Sequence, residues 1–87
     1  MDAVRIYTTR TCGYCHAALA LLRAKSIAFE QIDVSGNPKL RSELVARTGR
    51  STVPQVFVGE RSLGGFTDLL ALERRGELDT VLNRALG

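Results

Sequence analysis

The stretch TCGYCHAALALL, Thr11 to Leu22, joins two patterns. From Tyr14 onward the apolar residues Tyr14, Ala17, Ala18, Leu21 and Leu22 follow the spacing of one helix face. The segment is rich in Ala and Leu, which predicts a helix to about Lys25. Just ahead of it stands C-x-x-C-H, and ahead of that residues 3–7, AVRIY, alternate apolar and polar as a strand does. The two cysteines are therefore expected at a strand-to-helix turn, where backbone N–H groups have no partner inside the helix.

Outward from this turn the pattern continues. Residues 28–34, AFEQIDV, read as a second strand. Asn37-Pro38 supplies an N-cap and a proline at the first helical position. Leu40, Leu44 and Val45 are expected on that helix's buried face, and Gly49 closes it. Residues 53–58, VPQVFV, form a third strand, Gly59-Glu60 a two-residue turn and RSL a short fourth strand. After the break at Gly64-Gly65, helical patterns cover about 67–75 and 77–86, with Gly76 between them. The last helix is expected to bury Leu78, Val81, Leu82 and Leu86. The order β-α-β-α-β-β-α-α predicts an α/β fold. Two parallel strands come from the βαβ unit, an antiparallel edge comes from the hairpin, and helices lie on the faces.

The totals narrow the function. At 87 residues the chain is expected to be one domain, 1–87. Its formal charge of +3, from 12 basic and 9 acidic residues, is spread along the chain, so no nucleic-acid stripe is expected. No secretory leader is read at the N-terminus and no apolar run suits a membrane span. A cytoplasmic protein is expected, and there structural disulfides are rare. Two cysteines three positions apart would close a very small loop and add little as a staple. Their role is expected to be chemical.

Cys12, at or next to the N-cap, faces the positive end of the helix dipole. Thiols so placed have pKa values of about 3.5–7.5, against about 8.5 when free. Arg10 adds a nearby positive charge. Cys15 lies in the first turn on the same side, expected to be more buried and less ionised. Cys12 would attack a disulfide and Cys15 would resolve the mixed disulfide. Tyr14 either walls a small-molecule groove or packs against the helix. Rival readings of C-x-x-C-H are poorer. Covalent haem needs a translocated chain and a distal ligand, yet His16 is the only histidine and Met1 the only methionine. Zinc needs four ligands, and Cys12, Cys15 and His16 have no evident fourth. His16 itself reads as a surface or packing residue.

Three motifs in order then carry a resemblance over essentially the whole chain. They are Y-T-x-x-T-C-x-Y-C-H at Tyr7 to His16, T-V-P within RSTVPQVFVGERSLGG at residues 50–65, and G-G-x-x-D-L at Gly64 to Leu69. The chain resembles the glutaredoxins, specifically small bacterial dithiol members of the glutaredoxin 3 type. The resemblance implies a thioredoxin fold with a four-stranded mixed sheet, and a cis peptide bond before Pro54. Such a bond would aim the backbone of Val53 beside Cys12, where an extended peptide could pair with it. A trans proline opening an edge strand is the plainer alternative.

It also implies glutathione as co-substrate, with Tyr14 bordering the groove and Thr52, Val53 and Pro54 at the cysteinyl part. Phe66 and Thr67 would offer helix N–H groups to the γ-glutamyl carboxylate, and Asp68 would take the α-amino group. Asp68 reads equally as a first-turn acid favoured by the helix dipole. The implied function is glutathione-dependent reduction of glutathionylated and disulfide-containing proteins by a monomer, with no metal required. Two positions depart from the family pattern. Thr9 stands where the family has lysine, which leaves Arg10 or Arg41 to meet the glycine carboxylate; both also read as plain surface arginines. Gly13 replaces a common proline, and some relatives with a small residue there dimerise around a [2Fe–2S] cluster held by four thiolates. A thioredoxin-like protein served by a reductase is a further reading.

Overall fold

Eight elements follow the order read from the sequence: β1 (Val4–Thr8), α1 (Gly13–Ala24), β2 (Glu30–Asp33), α2 (Pro38–Thr48), β3 (Gln55–Val58), β4 (Arg61–Gly64), α3 (Phe66–Arg74) and α4 (Leu78–Leu86). The structure is a computed structural model that describes the backbone of residues 3–86 and the side chains of residues 3–82. The sheet runs β2-β1-β3-β4. β1 and β2 are parallel, with Tyr7 opposite Ile32. β1 pairs antiparallel with β3, and β3 with β4.

Alternation along the central strands sorts their side chains into two cores. Val4, Ile6, Val56, Val58 and Leu63 meet α1, α3 and α4 through Ala18, Leu19, Leu22, Leu69, Leu78 and Leu82. On the other face Tyr7 and Phe57 meet Leu44 of α2 and Val34. β3 is buried at every position because helices cover both its faces. Leu22, Leu69, Leu78 and Leu82 are wholly buried, each contributing about 1.5–3 kcal/mol. Lys25, at the end of α1, joins Glu73 of α3 at 2.6 Å and Asp79 of α4 at 3.0 Å. This one ammonium ties three helices together.

Several expectations are corrected. The buried stripe of α1 is Cys15, Ala18, Leu19 and Leu22, one position later than the stripe from Tyr14. Residues 14–22 are so nearly all apolar that both stripes fit a helical period. Val45 is exposed at 38%. Leu40 and Leu44 face the sheet, and the Arg47 guanidinium lies 4.3 Å over the Phe57 ring. β2 is shorter than residues 28–34, and β3 starts at Gln55, after Pro54, which has no N–H for the ladder. Leu86, expected on the buried face of the last helix, lies outside the described side chains.

Candidate active site

The loop from Thr9 to Thr11 joins the end of β1 to α1, and it is tied down from the side. The Arg10 N–H donates to Ser35 Oγ at 3.1 Å, and its guanidinium pairs with Asp33 at 3.3 Å. Cys12 is the N-cap of α1, with φ −90° and ψ 114°. The Cys15 N–H donates to its sulfur at 3.3 Å. Cys12 is partly exposed and Cys15 is buried at 1%. Burial, followed by the adjacent Cys12 sulfur, pushes the Cys15 thiol up to about 11. Cys15 is thus the more buried of the two, as the sequence predicted.

The Val53–Pro54 peptide bond is cis. The carbonyl oxygen of Val53 lies 3.5 Å from Cys12 Sγ and accepts its S–H. A groove of about 320 Å³ starts beside it, lined by Tyr14, Thr52, Val53, Pro54, Phe66, Thr67 and Asp68 among others. These are seven of the eight residues expected around a ligand. Tyr14 is 65% exposed and its ring stands 6.3 Å from that of Phe66, so it walls the groove and does not pack into the core. Arg41 is the eighth and does not line the groove. Its guanidinium donates to the Ser51 carbonyl at 2.8 Å, bracing the loop just ahead of Thr52.

Asp68 occupies the first turn of α3. Its Oδ2 accepts the Gly65 N–H at 2.9 Å and Arg50 Nη1 at 2.9 Å. The Arg50 hydrogen bond first, and the Gly65 N–H second, hold its carboxyl below the usual carboxylate range. Gly64, with φ +88°, makes this possible: a Cβ there would sit 2.6 Å from Asp68 Cγ.

Two residues escaped the sequence reading. Arg50 lines the groove beside Asp68, and only the fold brings them together across 18 positions. Gln55 is wholly buried; its Nε2 donates to the Thr52 carbonyl at 3.0 Å and clamps the loop. Its Oε1 is buried without a hydrogen bond among the described residues. A glutamine inside the apolar run VPQVFV was the available signal.

A larger, open depression of about 880 Å³ lies on the α2 side of the sheet, along Arg5, Arg47, Phe57 and Ser62. It holds none of the candidate residues, so chemistry and not size selects the smaller groove. Among the described residues no three His, Cys, Asp or Glu side chains group around a metal position. A cluster shared between two copies would have only the partly exposed Cys12 to draw on, since Cys15 is buried.

Comparison with known proteins agrees with this geometry. The glutaredoxin family model matches residues 4–63. The chain is 48% identical over 82 residues to glutaredoxin 3 of Escherichia coli K12, covering 94% of this chain and 99% of that protein. It is 48% identical over 83 residues to the glutaredoxin of Pseudomonas aeruginosa PAO1, covering 95% and 99%. The solution structure of glutaredoxin from Brucella melitensis is 49% identical, with a TM-score of 0.84 over 94% of this chain and 89% of that one.

Proposed function

The chain belongs to the glutaredoxin family of thiol-disulfide oxidoreductases, with their thioredoxin fold, and from that premise we propose that it draws its electrons from glutathione through Cys12 and Cys15. The observation that carries the reading is the groove that begins at the Val53 carbonyl, 3.5 Å from the Cys12 sulfur, and ends at Asp68 on the first turn of α3. An extended tripeptide with a central cysteine suits such a channel: its backbone pairs with Val53, and its amino end meets Asp68.

The reaction runs in two exchanges. Cys12, as thiolate, attacks the glutathionyl sulfur of a mixed disulfide. The target's sulfur leaves with the electron pair and takes a proton. Glutathione is now joined to Cys12, and the thiolate of a second glutathione attacks its sulfur. Oxidised glutathione departs and the Cys12 thiolate is restored. Cys15 stays protonated through both exchanges because its thiol is pushed up to about 11. When a protein disulfide is the substrate, Cys12 becomes joined to the protein. Cys15 then gives up its proton and attacks the Cys12 sulfur, leaving a Cys12–Cys15 disulfide that two glutathiones reduce. In this reading residues 1–87 act as one domain and as a monomer on glutathionylated or disulfide-containing proteins in the cytoplasm. No helix among the described residues is long and apolar enough to cross a membrane.

The test is reduction of a glutathionylated mixed disulfide, with NADPH and glutathione reductase reporting turnover. Wild type and Cys15→Ser turn over and Cys12→Ser does not. Loss of turnover in Cys15→Ser alone would remove the two-exchange mechanism. An inactive but folded wild type would remove glutathione as the electron source.

A further inference from the structure

The open depression on the α2 side of the sheet has no part in the mechanism above, yet its floor is laid out in register. Arg5 of β1 stands opposite Phe57 of β3, and Phe57 opposite Ser62 of β4, so the three share one face of the sheet. A face covered by a helix is expected to be apolar; an arginine and a serine in this row mark where α2 stops covering it. Arg47, near the end of α2, reaches over the row with its guanidinium 4.3 Å from the Phe57 ring. It is exposed and has no ion-pair or hydrogen-bond partner among the described residues, so its fork of N–H donors is open. Glu60 is the one carboxylate along this floor, against Arg5 and Arg47. The depression is also connected. A hollow of about 300 Å³ shares Arg47 and Ser62 with it, and shares Arg50 and Asp68 with the groove beside Cys12. One continuous path therefore leads from the groove past Arg50 and Arg47 to Arg5.

We propose that this path is a docking face for a protein substrate, and that it takes an acidic, extended segment lying just ahead of the target cysteine. This rests on the groove reading above and names the partner class for the route in which Cys12 becomes joined to a protein. In that reading the amino end of the occupant points to Asp68, so the residues that precede a protein's cysteine leave the groove there. The path they meet carries the guanidiniums of Arg50, Arg47 and Arg5 and the carboxylates of Asp68 and Glu60. Asp68 is already engaged by Arg50, and Arg5 by Glu30. Both pairs are about half exposed and cost little to rearrange. Arg47 is matched by no carboxylate among the described residues, and an acidic segment supplies the complementary charge. Reach fixes the spacing. An extended chain advances about 3.3 Å per residue, so about six residues cover the molecule's shortest dimension, 20 Å. Acidic side chains roughly three to six positions before the cysteine therefore fall on the floor between Arg47 and Arg5. Glutathione ends at Asp68 and does not reach this floor, so the face acts on protein substrates alone.

The test is a single exchange on the Cys15→Ser protein, in which Cys12 is the only thiol. Peptides carry one cysteine capped as its mixed disulfide with thionitrobenzoate. The Cys12 thiolate bonds to the peptide sulfur, and thionitrobenzoate leaves with the electron pair and reports the rate by its colour. Two peptides of one composition place a run of glutamates either about three to six residues ahead of the cysteine or at the mirrored positions after it; a third has glutamines ahead. Each rate is divided by the same peptide's rate with mercaptoethanol. Leading glutamates should react about 3- to 10-fold faster than trailing glutamates or leading glutamines, the combined worth of two or three exposed charge pairs. Arg47→Gln should cut that advantage by about 2- to 5-fold, and so should Arg5→Gln, a second variant on a strand instead of the helix. Arg23→Gln deletes the same charge from the last turn of α1 and should leave the advantage intact. Equal corrected rates for leading and trailing glutamates would overturn the proposal. Equal losses in Arg47→Gln and Arg23→Gln would mean a diffuse field with no docking face, and would overturn it too. A faster trailing peptide would overturn the direction of the chain and the proposal with it. Glutathione with the same cap keeps the two readings apart. A corrected rate no better than that of capped cysteinyl-glycine would remove the glutathione reading, while the three peptides still decide the docking face.

Discussion

Replacing Gly64 with alanine tests how the fold builds the Asp68 end of the groove. The backbone of Gly64 has φ +88°, and a left-handed conformation costs an alanine about 1–2 kcal/mol. The new methyl would also lie 2.9 Å from Asp68 Cβ and 2.6 Å from its Cγ. Turning the carboxylate alone does not clear a clash with Cβ, so the first turn of α3 must shift. That shift breaks the hydrogen bond from the Gly65 N–H, a helix cap worth about 1 kcal/mol. It also breaks the half-exposed pair with Arg50, worth about 0.5 kcal/mol at most. The sum is about 2–3.5 kcal/mol. With a urea slope of about 1 kcal/mol/M for a small domain, the unfolding midpoint should fall by roughly 2–3.5 M. Gly13→Ala is the internal control. Gly13 opens α1 in a helical position, and a methyl group there would meet no atom within 4 Å, so alanine should stabilise by about 0.4–1 kcal/mol. Urea titration of the three proteins, followed by circular dichroism, decides it. A Gly64→Ala midpoint within 0.5 M (~0.5 kcal/mol) of wild type, or two glycine variants that move the same way, would refute the reasoning.

Other outcomes follow from the same structure. Iodoacetamide at about pH 8 should alkylate Cys12 and spare Cys15, whose thiol is buried and pushed up to about 11; fragment-ion mass spectrometry showing equal labelling would contradict this. Because the Asp68 carboxyl is held below its ordinary 3.8, its ionised form stabilises the fold above that pH, and the contribution disappears as pH falls through the lowered folded value. Wild type should therefore lose its stability advantage over Asp68→Asn below about pH 4, and an advantage that persists to pH 2 would be inconsistent with the pairing. Lys25→Met removes both ion pairs that join α1 to Glu73 and Asp79; hydrogen exchange should speed up in α4 and stay unchanged in β1 and β3, and uniform exchange would argue against the tie.

The features legible in the sequence were those set by short-range chemistry. A cysteine pair at a strand-to-helix turn, Asn37 and Gly49 as helix caps, and the break at Gly64-Gly65 each depend on neighbours within a few residues, and each stands where the pattern predicted. Rotation about a helix axis was less legible. Tyr14 to Leu22 offers apolar side chains nearly all round, and only packing against the sheet selects Cys15, Ala18, Leu19 and Leu22. Val45 differs from expectation for a related reason: the Arg47 guanidinium covers Phe57 on the face where a valine was expected to contribute. Arg50 and the bracing role of Arg41 could not be read at all. An arginine among twelve basic residues has no distinguishing local signal, and its partner is fixed only when the loops at the end of α2 and the start of α3 meet.

The two rims of the sheet have a consequence for how this protein meets other chains. β2 carries Glu30 and Asp33 along its outer strand, paired with Arg5 and Arg10, and β4 opens with exposed Arg61 and Ser62. A stray strand that added itself to either rim would have to lie among bound charges, and natural sheets avert edge-to-edge aggregation in this way. Charged rims thus guard the sheet against pairing with further strands, and the segment Thr52 to Pro54, beside the Cys12 sulfur, lies outside the ladder.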